Sequence, residues 1–325
     1  MNANKPVSKV LVLDDCPAHA DAIKRFCGEH NLIALKARRH RLMTVLRSNI
    51  DLGGIVLGED YGGSIEEASA VAARIDALRP ELPIILRRAG AANLDGLPAP
   101  LRQAVCATFN ADDLDTLRAA VDEFIFSIDF PNALVRGISD ITETRLGSLF
   151  KNLTVTWDTP SVVRDRIIFG EVFSLIPLEG AWCRGYMMMQ TEERPLLEIL
   201  GNGNGNGGVD PDGEPAGFRD INSLLGELTN LIWGAFKDRF LDQQNMAPRA
   251  VVQVPLLVNH KHRYISFGSN NPQLCFRYRL TDDNTGQSFT IDQRFVFSLS
   301  WSPEDFSEKT TDMDALVEAG ELDLF

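Results

Sequence analysis

Nowhere does the sequence run eighteen apolar residues together, and its first twenty residues lack the basic start, apolar stretch and small-residue cleavage site of a secretory leader. These absences predict a soluble, cytoplasmic protein with no membrane insertion. Cysteine is scarce and scattered: Cys16, Cys27, Cys106, Cys183 and Cys275 form no C-x-x-C pair and have few histidines near them. Such spacing excludes a disulfide framework and a zinc site, and leaves reduced structural thiols. Positive charge is short as well, with 32 Lys and Arg against 45 Asp and Glu and a net charge of −13. Nucleic-acid affinity rests on cations that neutralise phosphates, so no nucleic-acid partner is expected. What the chain does have is length and apolar content. Its 325 residues, 44% of them apolar, suffice for two domains with a core each.

From Ser8 to Asp129 short apolar runs alternate with helical patterns, the layout of a parallel sheet covered on both faces. The strands expected are KVLVLDD (9–15), LIALKA (32–37), GGIVLGED (53–60), LPIILRRA (82–89) and QAVCATF (103–109). The helices expected are HADAIKRFCGEH (19–30), HRLMTVLRS (40–48), SIEEASAVAARIDALRP (64–80) and DLDTLRAAVDEFIFSI (113–128). Beyond Pro131 the pattern changes. A helix over 132–150 precedes strand-like runs TVTWD (154–158), DRIIFGEVFSLIPL (165–178) and CRGYMMMQ (183–190), with Gly170 and Gly180 as turn or bulge signals. GNGNGNGG (201–208) reads as a flexible loop inside the domain. A second long helix covers 221–236, and strands follow around 249–258, 263–268, 273–280 and 293–301. The expected class is therefore α/β: a doubly wound five-stranded parallel sheet over 1–130, then an α+β domain over 131–302 with two long helices on one sheet, and an acidic tail over 303–325.

VLVLDD at the end of a first strand, followed by a helix in a five-unit α/β chain, resembles a response-regulator receiver. In that family such an acidic pair holds Mg²⁺, so the resemblance makes Asp14 and Asp15 weak magnesium candidates; solvated loop acids are the plainer reading. The departures from the family are informative. Its phosphoacceptor Asp closes the third strand, where IVLGED places Glu59 in register and Asp60 one residue later. The Ser or Thr that ends its fourth strand is replaced by Arg88 or its neighbour Arg87, and the Lys that ends its fifth is missing from CATFNADD. Without that Lys an aspartyl phosphate has lost its neutralising partner, and Arg88 is placed to neutralise Glu59 instead. The first domain reads as a degenerate receiver that does not cycle phosphate and serves as a docking or dimerisation surface.

The helix INSLLGELTNLIWGAF (221–236) puts Ile221, Leu224, Leu225, Leu228, Ile232, Ala235 and Phe236 on one side. Ser223, Glu227, Asn230, Gly234 and Lys237 fall in a stripe roughly 80° wide on the other, bordered by Gly226. Two glycines inside a helix cost about 1 kcal/mol each relative to Ala, and a solvated face gains nothing from them. They do bare the backbone to a docking surface. Glu227 and Asn230 have the plainer reading of an ordinary exposed helix face, and Ser223 that of a helix cap.

Ser223, three residues, Glu227, two residues, Asn230, and Pro255 some two dozen residues on resemble the motif of the CheC/CheX/FliY chemotaxis phosphatases. PLEGAWCRGYMMM before the helix fits the same pattern, and the resemblance spans about residues 132–301. It implies that the domain is CheX-like, that Glu227 pairs with the active-site Lys of a phosphorylated, CheY-like response regulator, and that Asn230 orients the attacking water. It implies no cofactor of the chain's own, Mg²⁺ being supplied by the partner, and it allows a homodimer. SDITETRL (139–146) echoes the spacing in the first helix, with Ser139, Glu143 and then Leu146 in place of Asn. In the tail, TTDMDALVEAGELDLF (310–325) resembles the amphipathic peptides by which such proteins hold a response regulator, with Met313 and Leu316 as contacts; a disordered acidic end is the alternative. Three functions are thus open: a response-regulator phosphatase, a non-catalytic adaptor that gathers such partners, or a second domain regulated by phosphorylation of the first, which needs Asp60 or Glu59 as the acceptor.

Overall fold

Branched and apolar residues fill the first five strands because both faces of each are covered. In the computed structural model, which describes residues 5–48, 51–168, 170–201, 217–241, 255–259, 265–266, 270–306 and 308, these are β1 (Ser8–Leu13), β2 (Leu32–Leu35), β3 (Gly54–Gly58), β4 (Ile84–Arg88) and β5 (Ala107–Asn110). All pair in parallel, in the order β2-β1-β3-β4-β5. Helices α1 (Pro17–Glu29), α2 (Leu42–Arg47), α3 (Ile65–Leu78), α4 (Ala99–Ala104) and α5 (Leu114–Ala120, continued by a π-turn over Val121–Ile125) cover the two faces. Leu11, Leu57 and Leu86 meet Ala72 and Ile75 of α3 on one side; Val10, Val56 and Ile85 meet Phe26 and Ile125 on the other. This is the doubly wound sheet expected. The fifth strand is shorter than expected, because residues 99–104 form α4 with Leu101 buried, and the strand begins only at Ala107. An uninterrupted apolar run gives no sign of that boundary.

The second half is antiparallel. Its strands are β6 (Thr154–Trp157), β7 (Ser161–Val163), β8 (Ile167–Ile168), β9 (Val172–Glu179), β10 (Cys183–Thr191), β11 (Leu256–Asn259), β12 (Ile265–Ser266), β13 (Gln273–Thr281) and β14 (Ser288–Trp301). The main sheet runs β11-β9-β10-β14-β13-β6, with β7 also on β13, while β8 and β12 form a separate pair. The single run expected over 165–178 is therefore two strands, broken at Gly170. Gly180 sits in the β9–β10 turn, but the bulge itself falls at Gly185, where a Cβ would come within 2.0 Å of the Val296 carbonyl. Helices α6 (Asn132–Leu149), α7 (Glu193–Gly201) and α8 (Phe218–Phe240) pack their apolar faces on one side of the sheet. The short α7 was not expected. Gly137 lets the two long helices touch, since a Cβ there would lie 2.4 Å from the Phe240 ring. Among the described residues no helix is long and apolar enough to cross a membrane. Of the tract at 201–208 only Gly201 is described.

The halves are joined through main chain. Val7 donates to the Pro160 carbonyl (2.9 Å) and accepts from Val162 (2.8 Å), and Arg164 donates to Leu52 (2.8 Å). Ser8 Oγ, fully buried, donates to the Val162 carbonyl at 2.8 Å. Gly53 makes room for that bond: a Cβ would fall 1.9 Å from Ser8 Oγ and 3.2 Å from the same carbonyl. Buried Arg79 adds charge to the seam, binding Glu81 of its own half, Asp165 (3.3 Å) and the Arg164 carbonyl (3.0 Å).

Gly53→Ala should cost about 1–3 kcal/mol in urea unfolding of the full chain. The same change in a Ser8→Ala background should cost less, because the clashing hydroxyl is gone; strictly additive costs would show that the close approach is not the cause. All five cysteines are free, and burial pushes the thiols of Cys27, Cys183 and Cys275 up to about 12 and that of Cys106 to about 11. A thiol reagent at neutral pH should accordingly modify the half-buried Cys16 first, the half-buried Cys106 more slowly, and the buried Cys27, Cys183 and Cys275 only on unfolding, as peptide mass mapping would register.

Candidate functional site

Helix α8 starts at Phe218, behind Gly217, whose N–H donates to Asp220 Oδ2 at 2.6 Å. Ser223 therefore lies in the second turn, and the cap reading of it falls. The buried face holds the expected Ile221, Leu224, Leu225, Leu228, Ile232 and Phe236 and is wider than expected, taking in Thr229, Trp233 and Phe240, while Ala235 is only partly covered. Thr229 fixes the helix rotation: its hydroxyl is 2.5 Å from Ser174 Oγ of β9 and 2.6 Å from the Leu225 carbonyl.

With that face held down, Ser223, Glu227 and Asn230 are exposed. They line an open cavity of about 680 Å³ together with Gly226, Leu231 and Pro255. Pro255, reached from a distant part of the chain, is buried at its wall. No hydrogen bond joins the side chains of Ser223, Glu227 and Asn230 to any described residue, so a carboxylate, an amide and a hydroxyl present free polar tips along one helix face. Gly234 lies one turn beyond, and nothing stands within 4 Å of where its Cβ would be. Bare backbone thus continues the stripe. The echo in α6 does not form such a face, since Ser139 and Leu146 are buried and only Glu143 is exposed. Met313 and Leu316 of the tail lie outside the described residues.

The acid pocket of the first half is closed by its own cation. Arg87, 1% exposed, reaches Asp14 through Nε (2.5 Å) and Asp60 through Nη2 (2.5 Å). Burial alone would pull the guanidinium down, but the hydrogen bonds and charges of Asp14 and Asp60 outweigh it and hold Arg87 above the ordinary arginine value. Asp15 is exposed and accepts from Gly62 N–H at 2.7 Å. Arg88 points elsewhere, to Glu59 Oε2 at 2.6 Å and to the carbonyls of Asn93 and Asp95; Glu59 also accepts from Ala89 N–H. The two arginines thus serve two separate groups, Arg87 with Asp14 and Asp60, and Arg88 with Glu59. The sequence left the choice between them open, and Gly58 was the signal for Arg87: a Cβ there would lie 3.0 Å from Arg87 Nη2 and 3.1 Å from Asp14 Oδ2. The residues do not fit Mg²⁺, because the buried Asp14 carboxylate is spent on a guanidinium, and the magnesium reading of Asp14 and Asp15 is corrected accordingly. Among the described residues no three His, Cys, Asp or Glu side chains gather as a metal site.

Neither protein-family models nor curated proteins match this sequence. Solved structures similar to it are chemotaxis proteins of the CheX and CheC kinds and response regulators. A chemotaxis protein CheX from Desulfovibrio desulfuricans shares 16% identity at a TM-score of 0.36, covering 49% of this chain and 95% of its own. A response regulator from Thermotoga maritima shares 20% at 0.32, over 37% and 98%. The CheX–CheY–BeF₃–Mg complex from Borrelia burgdorferi matches with 14% identity at 0.31, over 49% and 95%.

Arg87→Ala strands a buried carboxylate and should destabilise the protein by about 3–5 kcal/mol, whereas Arg88→Ala breaks a partly solvated pair and should cost about 1 kcal/mol. Denaturant titration of both variants checks this, and equal losses would refute the plugged pocket.

Proposed function

We propose that the exposed face of α8 hydrolyses the aspartyl phosphate of a separate response regulator. The observation that supports this most is the convergence of Ser223, Glu227, Asn230 and Pro255 on one open cavity, with the polar tips unclaimed by the described chain. An acyl phosphate is already activated, so its hydrolysis needs chiefly a water held in line with the bond to be broken. The Asn230 carboxamide can do this without titrating, its oxygen accepting from the water and its N–H₂ donating to the phosphoryl group. The water oxygen bonds to phosphorus, the bond to the partner's aspartate oxygen breaks, and inorganic phosphate leaves. Glu227 pairs with the partner's lysine and sets the docking register, Ser223 and the glycines admit the partner's backbone, and Mg²⁺ belongs to the partner. A rigid helix is what such positioning requires, and the Thr229–Ser174 bond supports that requirement. On this reading residues 311–325 add a second, tethered contact that raises the partner's effective concentration. A non-catalytic adaptor is the alternative, favoured by the plugged acid pocket of the first half.

Asn230→Ala should lose about 2–4 kcal/mol of barrier lowering while still binding the phosphorylated partner, and Glu227→Ala should weaken binding too. Phosphate release from the response regulators of the same host, with and without the protein, is the measurement. Full activity in Asn230→Ala would remove the mechanism; no acceleration by the parent protein on any of them would leave the adaptor.

A further inference from the structure

Across residues 30–50 the chain carries Lys36, Arg38, Arg39, Arg41 and Arg47 and not one acid, in a protein whose net charge is −13. The densest part, KARRHR (36–41), leaves the carboxyl end of β2 and closes as a single 3₁₀ turn over Arg39–Arg41. Arg39 fixes that turn. It donates to Glu67 Oε2 at 2.7 Å and to the Gly62 carbonyl at 3.2 Å, and it lies 6.0 Å from the centre of the Tyr61 ring. Gly62 is at φ +90°, and a Cβ there would meet the same guanidinium at 2.6 Å. With one arginine spent on the anchor, Lys36, Arg38, His40 and Arg41 are exposed, and their side chains have no partner among the described residues.

Cations held together in one turn repel each other, and an anion laid across them relieves that repulsion. The turn is short for a phosphate backbone, which would meet carboxylates beside it, since Asp15 and Glu67 are tied to the same loop at Gly62. A short acidic peptide fits better. The chain contains one: residues 310–325 hold Asp312, Asp314, Glu318, Glu321 and Asp323 and no cation. The origin of that segment is fixed. Glu308 is held by Arg239 at 2.7 Å, and Phe306 meets Trp182, which meets Trp301, which meets Phe130, with ring centres 5.1, 5.5 and 5.3 Å apart. Phe130 shares a cavity with His30 and Asn31, where β2 begins. From there the outer edge of β2, which pairs with no strand among the described residues and exposes Ile33, leads to Lys36. The route is roughly 40 Å, and residues 309–325 span about 55 Å when extended.

We infer that residues 310–325 dock in the same chain along the open edge of β2, with their acids over Lys36, Arg38 and Arg41. This docking is independent of the phosphatase reading. On that reading it adds a regulation, because a tail held on the basic turn is withheld from the partner, and the turn sets how much of the tail is free for the second contact.

A carbodiimide joins an amine to a carboxylate only where the two already touch, and Lys36 is the single lysine of the turn. Treatment of the intact protein, followed by peptide mass mapping, should link Lys36 to Glu318, Glu321 or Asp323. In a mixture of isotope-labelled and unlabelled chains, the linked peptides should carry the same label. Arg38→Glu with Arg41→Glu should lower the yield about tenfold, and raising salt from about 50 to about 300 mM should lower it severalfold, while Arg194→Glu elsewhere on the surface should leave it unchanged. An excess of the free 310–325 peptide should compete the link away. No link between Lys36 and the tail, a link insensitive to the two reversals, or a link that mixes the labels, as between two copies, would overturn the docking. So would displacement by a DNA oligonucleotide at a lower concentration than the peptide requires, which would give the turn to nucleic acid.

Discussion

The hydrogen bonds between Val7 and the strand at 160–162 are few, but the placement of everything else follows from them. They pin the first residues of β1 to β7, and β7 in turn is hydrogen-bonded to β13 of the second sheet. Ser8 at the start of β1, Leu52 and Gly53 just before β3, and Arg79 at the carboxyl end of α3 join the same seam, all on the amino-terminal side of the parallel sheet. The carboxyl ends, where Asp14, Glu59, Asp60, Arg87 and Arg88 gather, are therefore turned outward. A connection made by backbone and buried charge has one geometry. A tether of similar length would have many.

Charge gives the seam its specificity more than its strength. Arg79 with Asp165, and Arg294 with Asp51, are ion pairs withdrawn from water, and their desolvation offsets much of the attraction. What such groups do is penalise every other docking, since a shifted interface would leave a guanidinium or carboxylate buried alone. Burial also raises Asp165 above the usual carboxylate range even with Arg79 beside it, a sign of how dry the seam is. Gly53 serves the same end by sterics.

Much of the fold was legible because apolar periodicity is a direct record of burial. It showed the five parallel strands, the two long helices, and the face of α8 on which Glu227 and Asn230 stand. What it missed shares a physical cause. Residues 99–104 and 193–201 are helices too short to display a period, and β7 is three residues whose pairing is decided by distant chain. Choosing between Arg87 and Arg88 required the parity of β4, where a slip of one residue exchanges a buried side chain for a partly solvated one. Asp51 carried no local signal, since its role at the seam comes from contacts with residues more than two hundred positions away. Pro255 stood out in sequence only through the spacing of a motif, and the fold is what brings it to the wall beside Ser223.

The seam also separates the two candidate sites. Asp51 lies against the outer face of the antiparallel sheet, whereas α8 packs on the inner face, so a complete layer of strands stands between the first half and Glu227 and Asn230. The acid pocket is farther still, roughly 20 Å along β1 from the seam at the rise of an extended chain. No rotation about a linker can carry one site to the other while Val7 remains bonded to β7. Within one chain the acid pocket and the face of α8 are therefore held apart, each open to solvent on its own side of the antiparallel sheet.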